Sequence, residues 1–81
     1  MSNVRLYRQE GSPGNGGKFH LLVTYGQVEE FYRALPTLVG PLHECKHFAT
    51  RKGSMPGVMI MDIQRADLAP ARYRVEGMNG L

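Results

Sequence analysis

The chain has 81 residues, 10 basic and 7 acidic, for a formal net charge of +3, which leaves room for one domain with one small core. The basic residues are scattered, so the charge permits nucleic-acid binding without requiring it. Cys45 is the only cysteine, which excludes an intrachain disulfide framework and favours a reducing compartment; with no signal-peptide pattern and no apolar run of membrane length, a cytoplasmic protein is expected.

Val4 to Arg8 alternates, with Val4 and Leu6 on one side and Arg5 and Tyr7 on the other, as a half-buried strand does. Residues 11–17, Gly-Ser-Pro-Gly-Asn-Gly-Gly, are turn-formers and predict a flexible hairpin loop. A phosphate loop is not expected there. Gly17-Lys18 is followed by Phe19, Ser12 stands where the first glycine belongs, and a strand rather than a helix comes next. That strand is Phe19 to Tyr25, in which Phe19, Leu21, Val23 and Tyr25 alternate against His20, Leu22 and Thr24.

Gly26 interrupts the pattern. Val28, Phe31, Tyr32 and Leu35 then fall at the spacing of one helical stripe. Glu29 and Glu30 favour the positive end of the helix dipole, and Pro36 predicts the helix end at about Leu35. His43 to Arg51 reads as a weaker strand, and residues 52–57 as a turn. Val58-Met59-Ile60-Met61-Asp62-Ile63 is the most distinctive stretch. Val58 and Ile60 fall on one face and Met59, Met61 and Ile63 on the other, so the strand is apolar on both. One helix covers one face, which leaves the second for the C-terminal tail, a second copy of the chain, or a partner. Residues 67–76 predict either a fifth strand, from the alternation Arg72-Tyr73-Arg74-Val75-Glu76, or a short helix capped around Asp67 to Pro70. Residues 77–81 are expected to fray. The expected fold is a single small α+β domain over residues 1–81. Its antiparallel sheet has four or five strands in β-β-α-β-β order, with one helix on one face.

His43, Cys45 and His47 share one side of a strand and are all zinc-ligand types. Neighbours two residues apart lie roughly 7 Å apart and the outer pair roughly 13 Å, too far for a three-ligand site unless a bulge intervenes. We therefore read this stretch as a half-exposed face with a buried cysteine, and expect neither a metal nor a cofactor. Cys45 beside His43 or His47 also lacks the orienting group and oxyanion donors of a nucleophilic site. The carboxylates show no pairing that suggests acid–base work, so an enzyme and a small-molecule substrate are not expected.

Two surfaces remain as candidate contacts for a partner. Met55, Met59, Met61 and Met78 are flexible and polarizable, as adaptable binding surfaces favour; Met59 and Met61 would join Arg51 and Lys52 at the tip of the second hairpin. Arg72, Tyr73 and Arg74 form a basic-aromatic-basic run suited to a phosphate backbone and a stacked base. The first expectation is a non-catalytic regulatory module that docks on another protein or on a copy of itself. A nucleic-acid-binding protein using the same basic residues is the alternative. In size and hairpin–helix–hairpin order the chain resembles small phage-encoded inhibitors, anti-CRISPR proteins among them; the resemblance lies in this organisation, and implies action by occluding a partner.

Overall fold

The computed structural model describes residues 3–11, 16–39, 45–65 and 69–78. Its elements are β1 (Val4–Gln9), β2 (Phe19–Tyr25), α1 (Val28–Val39), β3 (Cys45–Lys52), β4 (Val58–Arg65) and β5 (Ala71–Glu76). The strands form one five-stranded sheet in the order β2-β1-β5-β4-β3, with every neighbouring pair antiparallel. The α+β reading holds in outline. The element order is β-β-α-β-β-β, because the ambiguous C-terminal stretch becomes a strand over Ala71–Glu76. It inserts between β1 and β4 and joins the two hairpins into a single sheet. Alternation there is backed on both sides by ladders, which outweighs the local capping signal.

The helix lies over one side of the sheet, the inner face. Phe31 is fully buried and Leu35 nearly so, and they cluster with Val4, Leu6, Met61, Ile63, Val75 and Met78. The edge of the Tyr25 ring meets Phe31 at 5.9 Å between centroids and 63° between planes, a favoured aromatic geometry. Burial raises the pKa of the Tyr25 hydroxyl above its ordinary value.

Three local features depart from the expectations. The helix runs through Pro36 to Val39 rather than stopping at Leu35. Proline removes the bond to the carbonyl four residues back; here that residue is Tyr32, and both Tyr32 and Pro36 are exposed, so no buried group loses a partner. Of the end expected to fray, residues 79–81 lie outside the described residues, and Met78 is held in place. It is 2% exposed, and its N–H donates to the Gly57 carbonyl at 2.9 Å, which ties the chain after β5 to the start of β4. Finally, β2 carries a bulge. Leu6 pairs with Val23, but Tyr7 pairs with Leu21, so Leu22 is an extra residue. As a result Val23 and Tyr25 pack on the core while Leu21 and Phe19 turn to the outer face, opposite Tyr7 and Gln9. The single apolar stripe expected along β2 is split between the two faces.

Candidate functional site

Register assigns the outer face. One row crosses all five strands as Leu21, Tyr7, Arg74, Ile60 and Arg51. Arg5, Glu76 and Val58 form the next row, and Arg72 lies across from Asp62. The arginines at the middle of this surface are held by neighbours. The Arg72 Nε donates to Asp62 Oδ1 at 2.6 Å and its Nη2 to Oδ2 at 3.3 Å, a bidentate pair. These hydrogen bonds raise the Arg72 pKa in spite of partial desolvation. Arg74 lies against two rings, its Cζ 4.6 Å from the centroid of Tyr7 and 4.8 Å from that of Phe19, within cation–π range. Its Nε is 3.1 Å from Glu76 Oε2 without hydrogen-bond alignment, so the rings and the ion pair together hold it. Glu76 also meets Arg5 at 3.3 Å.

The run Arg72-Tyr73-Arg74 is therefore not one contact surface. Alternation sends both arginines to the outer face. Tyr73 goes to the inner face, where it packs against the core and has Arg8 6.0 Å from its ring centroid. The aromatic partners of Arg74 come from β1 and β2, and only knowledge of the β1–β5 pairing could have identified them. Met61 is corrected in the same way. It is 1% exposed and lies under the helix, because Met59, Met61 and Ile63 are the inner residues of β4. Met61 cannot reach a partner without opening the core. The outer apolar residues of that strand are Val58 and Ile60.

The second hairpin end brings the remaining predicted residues together. Gly53 N–H donates to the Val58 carbonyl at 2.7 Å and closes the turn. Around it lies an open cleft of about 730 Å3, whose walls include Arg51, Lys52, Met55, Val58, Met59 and Met78. Lys52 pairs in register with Met59 and Arg51 with Ile60, so the two cations flank the cleft from opposite faces of the strand. Both are exposed, and neither forms an ion pair among the described residues. Met55 is 67% exposed, whereas Met78 at the cleft floor is almost buried. Met55 and Met78, two of the four flexible methionines, were not placed among the expected contacts. The position of Met78 depends on the chain folding back after β5, for which the sequence carries no local signal.

The metal-ligand set does not assemble. His43 lies outside the described residues. Cys45 pairs with Arg65 and His47 with Gln64, so a bulge at Lys46 places Cys45 toward the core and His47 on the outer face. No group of three metal-ligating side chains occurs among the described residues. No helix among them is long and apolar enough to cross a membrane. No family model matches this sequence, and no curated protein or solved structure is significantly similar to it.

Proposed function

We propose that the chain is a non-catalytic docking module that holds a partner protein through the cleft at the end of the β3–β4 hairpin. The observation that carries this reading is the composition of the cleft wall. Met55, Val58, Met59 and Met78 give it an adaptable apolar lining, and its volume falls within the range of pockets that enclose a ligand. The lining carries no carboxylate, histidine or cysteine. A module of this kind acts by occluding or bridging what it binds, and occlusion is the role we favour.

Selection of binders from a random peptide library on the immobilised protein tests the reading. Met55 is exposed, so Met55→Asp should leave the melting temperature unchanged yet remove binding of the selected peptides. Leu21→Asp, on the outer face, should leave that binding intact. Peptides indifferent to Met55→Asp, or lost with Leu21→Asp, would move the docking surface to the outer face of the sheet.

The exposed Arg51 and Lys52 at the hairpin tip favour nucleic acid as the second reading. Arg72 and Arg74 support it less, since Asp62 and Glu76 already occupy them. Affinity dominated by phosphate contacts would fall steeply with salt, unlike that of an apolar cleft.

A further inference from the structure

Building on the docking reading, we infer that the occupant of the cleft is an acidic segment of a partner protein that inserts one apolar side chain. The inference rests on where charge is already satisfied. Asp62 holds Arg72, and Glu76 holds Arg5 and Arg74. Glu10 is 2.9 Å from His20 at the opposite end of the sheet. Among the described residues Arg51 and Lys52 have no such neighbour, and no carboxylate lies in the cleft wall. The carboxylates nearest in register are Asp62, diagonal to Arg51 on the neighbouring strand, and Glu76, across from Val58; Asp62 is engaged by Arg72, and Glu76 by Arg5 and Arg74, on the outer face. The cleft is thus a site where uncompensated positive charge borders an apolar concavity. Its natural complement is a carboxylate a few ångströms from an apolar anchor. The flexible methionine walls accept an apolar anchor, such as methionine or leucine, without a strict shape requirement.

A second copy of this chain fits less well. The outer-face rows next to the cleft carry Arg5, Arg51, Arg72 and Arg74 against Asp62 and Glu76, so face-to-face association brings like charges together. A nucleic acid would satisfy Arg51 and Lys52 but would leave the methionines without an apolar partner.

The full chain, titrated with synthetic peptides and followed by backbone amide shifts, decides the matter. Three peptides share a central leucine, flanked by aspartate and glutamate, by glutamine, or by lysine. The acidic peptide should bind saturably, move the amides of residues 50–55, 57–59 and 78, and weaken as salt rises. Charge reversal with Arg51→Glu and Lys52→Glu should lower its affinity about tenfold and confer binding of the lysine-flanked peptide. Both residues are exposed, and an unchanged melting temperature verifies that the variant is folded. Equal binding of the acidic and glutamine peptides would overturn the acidic occupant and leave the docking cleft standing. Absence of cleft shifts with every peptide would overturn both. Stronger shifts of the same amides by single-stranded DNA would overturn the inference in favour of nucleic acid.

Discussion

Phe31→Ala is expected to remove about 3–5 kcal/mol of stability, the usual cost of truncating a fully buried aromatic ring. Small domains have about 5–15 kcal/mol to lose, and one of this length sits toward the bottom of that range. The variant should therefore be largely unfolded, or molten, at physiological temperature. The physical reason is the geometry of the helix contact. The helix rests on the sheet chiefly through Phe31 and Leu35, and Phe31 touches Tyr25 on β2 while reaching the central cluster of Val4, Leu6, Met61 and Val75. Removing the ring opens a cavity between the helix and the close-packed cluster of Val4, Leu6, Met61 and Val75. Denaturant unfolding followed by near-ultraviolet circular dichroism measures the loss. A midpoint close to wild type would mean that the helix is not the principal cover of the inner face.

The second large effect is expected at Gly77. Its φ of +89° lies in the left-handed region, which costs an ordinary residue about 1–2 kcal/mol. A Cβ there would also stand 2.1 Å from the Asn3 carbonyl oxygen and 3.2 Å from the Val4 Cα. Both obstacles are backbone, at the start of a central strand, so neither can swing aside. Gly77→Ala should cost clearly more than the conformational term alone. Gly16→Ala is the control: its φ is +70°, but nothing lies within 4 Å of the added carbon. If the two variants melt at the same temperature, the crowding at Asn3 relaxes freely and the close approach of β1 to the end of β5 has no energetic weight. A correct result would also show that the turn carrying Met78 to the core floor and cleft depends on this glycine.

Period and punctuation made much of the fold legible. The alternation of Val4 and Leu6, the helical stripe of Val28, Phe31, Tyr32 and Leu35, and the β-rich run Phe19 to Tyr25 each fix an element by local rules that need no partner, although Tyr32 at the margin of the stripe is exposed. The doubly apolar β4 was legible as a pattern, but not which of its faces the helix would take. Met61 was assigned outward because both faces carry comparable apolar area and only packing decides between them. Other misses are non-local. A bulge at Leu22 or Lys46 is invisible until the opposite strand is known. The partition of Arg72, Tyr73 and Arg74 followed directly from their spacing once the segment was accepted as a strand, which the competing helix signal obscured. Of the candidate site, Arg51, Lys52 and Met59 were identifiable by residue type and proximity to a turn. The contribution of Met78 required the chain to return from nearly twenty residues away.

Leu22 carries a consequence for how this chain tolerates changes of length. Loss of a residue inside a strand ordinarily inverts every side chain beyond it, which is why such deletions are rarely accepted in paired sheets. In β2 the opposite holds. With Leu22 removed, Leu21 and Val23 become consecutive and still face Tyr7 and Leu6, which are consecutive themselves. Regular pairing is then restored with Phe19 and Leu21 outward and Val23 and Tyr25 inward, as before. The strand can shorten at the bulge and keep both surfaces, surrendering only the local twist that the bulge supplies. A deletion one residue later, at Val23, would bring Leu22 opposite Leu6 and set a leucine where the core now holds a valine.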